Sequence, residues 1–338
     1  MPVSAPKHTR PPLPDSVLPT SVPHGPVLVV GGINADVLGR TLGPPELHTS
    51  NPALAGVTPG GVARNIAEHL ARLVPAGVSV RLLGAVGADP LGAGVLEATD
   101  RAGVDVAGVL HLPGQTGVYM AVLDERGELH IGLAAMGLTD TLTPALTAPW
   151  RREVNGAALL VLDANLPAGV VAGLRQAALA AGVRTVLEPV SAPKAARLYR
   201  ELNGDLRGLY LIKPDRAELQ ALSGLTDLEQ GAARLLAAGA GHVLVTLGRE
   251  GSVLYRPDTP PLHTPAPQAV VRDVTGAGDA LVAGLCAGLL RGYDLPDAVR
   301  LGHTCASLTV ASSESVPAGL TWDAVQTGTP GLPAAQDC

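Results

Sequence analysis

The chain has 338 residues, 46% of them hydrophobic and 16% charged, enough to bury a sizeable core and too apolar for a disordered chain. Its net charge is −6, aromatics make up 2% and Phe is absent, so neither a basic face for a phosphate backbone nor an aromatic platform for stacked bases can be built, and nucleic acid is not an expected partner. Cys286, Cys305 and Cys338 lie far apart with no CxxC pair, which argues against a zinc site or a disulfide framework, and no apolar run reaches the ~18 residues of a membrane span.

Residues 1–25 are rich in Pro, Ser and His, lack periodicity and show no apolar signal segment; they read as a flexible tail on a cytoplasmic protein. Order is expected from Val27–Val30, a short β-branched run that reads as a buried strand ending in Gly31-Gly32. The stretch from Asp36 to Val57 is irregular and turn-rich. Val62–Val74 carries apolar residues at helical spacing, Val80–Leu83 is a strand, and Pro90–Ala102 is a helix stopped by Gly103. Gly117–Leu123 and Glu128–Leu133 flank Asp124-Glu125-Arg126-Gly127 and predict a hairpin. Strands follow at Leu159–Leu162, Thr185–Leu187, Gly208–Ile212 and His242–Thr246, with helices at Ala168–Ala181, Arg216–Ser223 and Leu228–Ala238. Two long helices, about Gly276–Arg291 and Leu295–Ala311, close the chain. This alternation predicts an α/β domain over residues 26–318, a mostly parallel sheet with helices on both faces. Two segments, about 36–57 and 112–135, are expected to leave it as a small β lid, and 319–338 to be a tail.

Three motifs carry chemistry. The strongest is Asp273-Val274-Thr275-Gly276-Ala277-Gly278-Asp279 before a helix of small residues. Small residues admit an anion to the backbone, and the helix start offers free N–H groups and a positive dipole end. Asp279, in the first turn, can accept a proton from an attacking hydroxyl. The second motif is Gly60-Gly61-Val62-Ala63-Arg64-Asn65, whose glycines expose backbone and whose Asn amide can donate to and accept from a sugar hydroxyl; an ordinary loop reads the same locally. The third is Gly31-Gly32-Ile33-Asn34-Ala35-Asp36 at the carboxyl end of the first strand, where Asp36 could hold a diol or simply close an Asx turn.

In order and spacing these three motifs resemble the PfkB, or ribokinase-like, carbohydrate kinases, over roughly residues 26–318. The resemblance implies transfer of a phosphoryl group from ATP, with Mg²⁺ and in many members K⁺, to a hydroxyl of a sugar or nucleoside. It implies Asp279 as the base and Gly276, Ala277 and Gly278 as the anion hole. Asn34, Asp36, Gly60, Gly61 and Asn65 fall at sugar-binding positions. Thr246, Gly248 and Gly251 resemble the nucleotide loop, and Asp273 and Thr275 fall where a monovalent cation is held. Lys213-Pro214-Asp215-Arg216-Ala217-Glu218 stands where the family has Asn-x-x-Glu near Mg²⁺ and phosphate, with Asp215 replacing Asn and Glu218 retained. Glu188-Pro189-Val190 replaces a frequent Asp-Pro-Asn. His303, in the late helix, is a candidate nucleotide neighbour or a partly buried helix residue. A narrower likeness links Thr49–Pro52, Tyr119–Asp124, Leu162–Leu166, Glu188–Ser191 and Cys305–Thr309 to the branch of the family that phosphorylates the 5′-hydroxyl of pseudouridine. By position, Thr116, Tyr119 and Asn165 are candidates for that nucleoside pocket. The implied partners are a small-molecule nucleoside or sugar and, through the lid strands, a second copy of the chain. The nearer alternative is another kinase of the same family, acting on ribose, adenosine or another sugar or nucleoside; the remote one, of a different class, is a non-catalytic sugar or nucleoside sensor on the same fold.

Overall fold

A computed structural model describes residues 25–332; the expected N-terminal tail, apart from Gly25, and Cys338 lie outside the described residues. The chain opens with β1 (Val27–Val30), β2 (Asn34–Thr41), β3 (Ala53–Gly60), α1 (Val62–Leu73), β4 (Val80–Leu83), β5 (Ala85–Gly87) and α2 (Pro90–Arg101). It continues through β6 (Leu110–Leu112), β7 (Gly117–Leu123), β8 (Leu129–Ala135), α3 (Ala148–Glu153), β9 (Leu159–Asp163), α4 (Ala168–Ala181), β10 (Thr185–Glu188) and α5 (Ala192–Glu201). The last third holds β11 (Leu211–Ile212), α6 (Arg216–Ser223), α7 (Leu228–Ala237), β12 (His242–Thr246), β13 (Ser252–Arg256), β14 (Thr259–Thr264), α8 (Ala277–Leu290), α9 (Leu295–Val310) and α10 (Trp322–Thr327).

Eight strands form the main sheet in the order β14-β13-β12-β11-β10-β9-β1-β4. The run from β12 to β4 is parallel, and β13 and β14 add an antiparallel edge. Successive residues of β1 feed opposite faces. Val27 and Val29 pack with α1, α2, α8 and α9, whereas Leu28 and Val30 pack with the layer built from α3 to α7. A strand covered on both sides must be apolar throughout, which is why β1 reads as an unbroken hydrophobic run. The chain moves from β1 to β4 on one side and later to β9 on the other, so the strand order reverses around β1. Open α/β sheets bind ligands outside the carboxyl ends of the strands at such a point.

Helix α8 is buried along its whole length from Asp279 to Leu290, which explains its all-round apolar sequence. It lies against α9 at close range. A Cβ on Gly284 would meet Cys305 Cβ at 2.7 Å, and one on Gly302 would meet the Leu281 carbonyl at 2.6 Å. Cys286 and Cys305 are buried free thiols, as expected of small core residues.

The segment expected to be irregular between Asp36 and Val57 is strand at both ends, up to Thr41 and from Ala53, and irregular only between them. β2 pairs with β3 and, in parallel, with β7, giving a lid sheet ordered β3-β2-β7-β8. Turn residues in the segment masked the period-2 pattern, whose pairing partners are distant in sequence. The predicted hairpin is β7–β8. Pairing register sorts the lid's two faces. Asn34, Asp36 and Tyr119 share the side toward the site, while Val37, Val57, Met120 and Leu133 sit opposite one another on the other side. Of these, Val57, Met120 and Leu133 are exposed.

Three further expectations need correction. The strand predicted over Gly208–Ile212 is confined to Leu211–Ile212, because Gly208 takes a positive φ of 87° in the turn before it. β13 and β14 went unread. Residues 319–332 are not a tail: α10 buries Val325 fully, and Arg291 lies 3.7 Å over the Trp322 ring. The helix is only six residues long and shows too few turns for its periodicity to be seen.

Candidate active site

A cleft of about 330 Å³ opens at the carboxyl ends of β1 and β9, beneath the lid. It is lined by ten of the predicted residues: Asn34, Asp36, Gly61, Asn65, Tyr119, Asn165, Thr275, Gly276, Gly278 and Asp279. Residues separated by more than 240 positions in the chain thus meet in one hollow.

Gly276 caps α8 with φ 77°, and a Cβ there would lie 2.5 Å from the Ser315 carbonyl, so only glycine fits. No side chain caps this helix, which leaves first-turn amides for an anion. Of the three predicted anion-hole residues, Ala277 differs: its N–H donates to the Val274 carbonyl at 3.3 Å and it does not line the cleft. Asp279 is 8% exposed. Burial raises its pKa to about 7, against the opposing pull of a hydrogen bond from Asn65 Nδ2 at 2.9 Å and of the Lys213 and Arg64 charges. A carboxylate poised there is a competent proton acceptor near neutral pH.

On the acceptor side, Asn34 Nδ2 donates to Asp36 Oδ1 at 2.6 Å. Burial lifts the Asp36 pKa, and the Asn34 bond partly offsets this. Gly60 does not line the cleft but makes room for it, since a Cβ would fall 2.3 Å from Asp36 Oδ2. Tyr119 reaches across the lid to Gly132 of β8. Thr116 is not in the cleft. Its hydroxyl donates to Asp89 Oδ1 and accepts from the Gly87 amide, its own amide donates to Asp89 Oδ2, and it is 2% exposed, so its polar groups are used by the fold.

The residue that sequence reasoning missed is Asp163, at the end of β9 and fully buried. Its Oδ2 accepts from the amides of Gly32 at 2.8 Å and Ala63 at 3.1 Å and from Asn165 Nδ2 at 3.0 Å; its Oδ1 accepts the Asn165 amide at 2.9 Å. One carboxylate thereby locks the end of β1, the start of α1 and the loop after β9. Asn165 Oδ1 in turn accepts from Lys194 Nζ at 2.5 Å, and both residues line the cleft. The signal for Asp163 was the one used for Asp36, an acid at a strand's carboxyl end. Lys194 on α5 gave no such signal, because α5 itself was not predicted.

The nucleotide-side candidates gather beyond Asp279. Lys213 Nζ pairs with Glu188 Oε2 at 2.8 Å, both nearly inaccessible, and would lie 3.2 Å from a Cβ on Gly278. Burial opposes the Lys213 charge, but Glu188, Glu218 and Asp279 around it hold its pKa above the ordinary value. Glu188 and Glu218 are each pushed up to about 7, by burial first; Lys213 counters this for Glu188, and repulsion from Glu188 adds to it for Glu218. Asp215 caps α6: its Oδ1 accepts the Glu218 amide at 2.7 Å and its own amide donates to Glu218 Oε2 at 2.8 Å. That capping box is one that Asp forms as well as the Asn of the family would. Thr246 donates its amide to the Pro214 carbonyl at 2.9 Å, placing the loop with Gly248 and Gly251 beside this turn. The Gly251 Cβ position is only 2.0 Å from the Thr264 carbonyl. His303 is buried: its Nε2 lies 2.7 Å from the Oγ of Ser252, the residue after Gly251, and burial lowers its pKa to about 4. Asp273 is exposed and outside the cleft, its Oδ1 accepting the Thr275 amide at 2.8 Å.

An α/β sheet with a lid, a buried carboxylate in the first turn of an uncapped helix and a polar hollow before it describe a small-molecule phosphotransferase. Residues 26–320 match the pfkB family carbohydrate kinase model, and the chain belongs to that family. Its kinases act on hydroxyl groups, and the fold is ribokinase-like. It is 32% identical over 292 residues to the pseudouridine kinase of Escherichia coli (strain K12), covering 84% of this chain and 90% of that one. It is 24% identical to the pseudouridine kinase of Arabidopsis thaliana, covering 86% and 92%. Among solved structures, a carbohydrate kinase from Agrobacterium tumefaciens superposes with a TM-score of 0.78 at 31% identity, covering 91% of this chain and 98% of that one. The ribokinase of Arabidopsis thaliana complexed with ribose and ATP shares the fold, with a TM-score of 0.80 at 24% identity, covering 90% and 99%.

Proposed function

We propose that this kinase transfers the γ-phosphoryl group of ATP to the 5′-hydroxyl of a nucleoside, pseudouridine foremost. The observation that carries the reading is Asp279, raised to about 7 and bonded to Asn65, at the start of an uncapped helix that faces a polar cleft. Asp36 and Asn34 hold ribose hydroxyls and present the reacting one. Asp279 takes its proton, and the first-turn amides of α8 receive the charge that builds on the phosphoryl oxygens. Lid strands above the cleft exclude water. Asn165 and Lys194 offer an amide and an ammonium, donors suited to the carbonyl oxygens of a pyrimidine ring. Two relatives named pseudouridine kinase support this choice of base.

The donor set fits Mg²⁺. Glu188 and Glu218 share one ammonium and repel each other, a hard-oxygen site short of positive charge. No group of three or more acidic, His or Cys residues suited to a metal occurs among the described residues, in keeping with a Mg²⁺ held by one or two carboxylates, phosphate and water. When bound, the ion would neutralise phosphate charge. Lys213, Asp215, Thr246, Gly248 and Gly251 would flank the nucleotide. A monovalent cation, K⁺, would take Asp273 and Thr275, the Thr275 amide leaving Asp273 Oδ2 as a donor.

The apolar outer face of the lid, with Val57, Met120, Ile131 and Leu133 exposed, supports pairing with a second copy; sedimentation of the full chain tests it, and a monomer at tens of micromolar would refute it. No helix among the described residues is long and apolar enough to cross a membrane. The reading places the enzyme in the cytoplasm, with its ATP.

The deciding experiment is ATP turnover with pseudouridine, uridine, adenosine and ribose side by side, with Mg²⁺ and K⁺. A preference for pseudouridine is expected, and turnover only with another acceptor would overturn the choice of base. Asp279→Asn should fold and lose on the order of 10²–10⁴ in kcat; near-normal turnover would remove Asp279 from its role.

A further inference from the structure

Asn65 has two chemically opposite ends, and only one of them can bond an ionised Asp279. Which end faces the base is settled by Arg64, its neighbour on α1. Arg64 is 5% exposed, and its donors are committed. Nη1 donates to Asn65 Oδ1 at 2.8 Å and to the Pro59 carbonyl at 3.1 Å. Nε donates to Thr99 Oγ1 of α2 at 3.3 Å, and Nη2 pairs with Glu68. A guanidinium has donors and no acceptor, so only the oxygen of the Asn65 amide can lie against it. The nitrogen is thereby turned to Asp279 Oδ2, 2.9 Å away. Reversal of the amide would set NH₂ against guanidinium and oxygen against carboxylate, losing both bonds. Pro59 belongs to β3, so the same guanidinium also grips the root of the lid.

We infer that Arg64 is a positioning residue for phosphoryl transfer: its fork fixes the Asn65 amide toward Asp279 and fastens that amide to the root of the lid. The inference rests on Asp279 being the base. The competing account is a purely structural one, in which Arg64 serves the ion pair with Glu68 alone.

The two accounts separate by experiment. Glu68 Oε1 also receives Arg72 Nη1 at 2.8 Å, so Arg64→Met does not leave a bare buried carboxylate. Arg64→Met, Arg64→Lys, Asn65→Ala and the Arg64→Met/Asn65→Ala double variant are assayed in the full chain with ATP, Mg²⁺ and whichever of the four acceptors supports turnover. The charged and polar groups facing Asp279 are Asn65 and Arg64 from α1, Lys213 before α6, Asp163 from β9 and Glu188 from β10. Of these, Arg64→Met removes one cation and the fixed amide donor, and both losses raise the Asp279 carboxyl. The acid limb of kcat/KM, near pH 7 in the parent, should therefore move to higher pH, and kcat at pH 7 should fall about tenfold while KM for ATP holds. Arg64→Lys keeps charge without the fork, so its limb should stay near the parent's while kcat falls. In the Asn65→Ala background, Arg64→Met should cost kcat far less than it does alone.

An unmoved limb in Arg64→Met, with activity lost only in proportion to folded protein, would overturn the inference. If Arg64→Met does not fold, parental kcat in Arg64→Lys would overturn it instead. Asp279→Asn, run in parallel, keeps the two readings apart: turnover retained there defeats the base, whereas turnover lost there with an unmoved Arg64→Met limb defeats Arg64 alone.

Discussion

Replacing Asp163 by Asn probes the knot that holds the cleft together. The carboxylate accepts four N–H bonds, three on Oδ2 and one on Oδ1. An asparagine has one acceptor oxygen, and its cheapest placement keeps that oxygen at the Oδ2 position and sets NH₂ against the Asn165 amide. The lost bond strands a buried donor at ~1–3 kcal/mol, and each of the three remaining bonds weakens by about 1 kcal/mol once the acceptor is neutral. No longer burying a charge offsets part of this, leaving a net loss of about 2–4 kcal/mol. Urea unfolding of the parent and Asp163→Asn measures it. The kinetics supply a second, independent sign. The Asp163 charge helps hold Asp279 up, so removing it should move the acid limb of kcat/KM to lower pH, opposite to the shift expected for Arg64→Met. A variant within about 0.5 kcal/mol of the parent would show that the four bonds do not fasten the site.

Stability should depend on pH in an unusual direction. Asp279, Glu188 and Glu218 have folded pKa values of about 7 against ordinary values of 3.8, 4.5 and 4.5, so between those limits the folded state holds more protons than the unfolded one. His69 and His303, each lowered to about 4 by burial, oppose this between about 4 and 6.5, so stability without ligands should fall gently from about pH 4.5, more steeply as pH nears 7, and level off above that; Asp279→Asn should flatten the lower part of the slope, and an unchanged slope in that variant would contradict the assignment. Gly60→Ala pushes a Cβ toward the movable end of Asp36 rather than into backbone, so the fold should survive while KM for the acceptor rises roughly ten- to a hundredfold with little change in kcat. Unchanged KM would remove Asp36 from acceptor binding.

The sequence announced those parts of the molecule whose signal is local. The apolar run of β1, the helical spacing of α1 and the glycines before α8 each state their structure within a few residues. Asp279, Asn65 and Asp36 were legible for the same reason, as polar residues tied to a glycine turn or a strand end. Thr116 misled because position along the chain does not say which neighbour consumes a side chain's hydrogen bonds; Asp89 does so. Asp163 carried the local signal of an acid at a strand end, but its partners Gly32 and Ala63 lie 100 or more residues away, and the contacts of Lys194 with Asn165 and of Arg64 with Thr99, 29 and 35 residues away, are marked by no local pattern. The lid strands β2 and β3 were hidden likewise, since their stability comes from pairing across the sheet.

The burial of α8 from Asp279 to Leu290 reaches beyond packing. Mobile ions in solution cannot collect along the buried length of the helix, and at its open amino end, where Gly278 is exposed, they are displaced once nucleotide and acceptor fill the cleft, so the field there is then less shielded than that of a surface dipole. Added salt should weaken the first encounter with a charged nucleotide, which takes place in solvent. The step in which charge develops against the α8 amides should be nearly indifferent to ionic strength, so that KM for ATP and kcat part company as salt is raised.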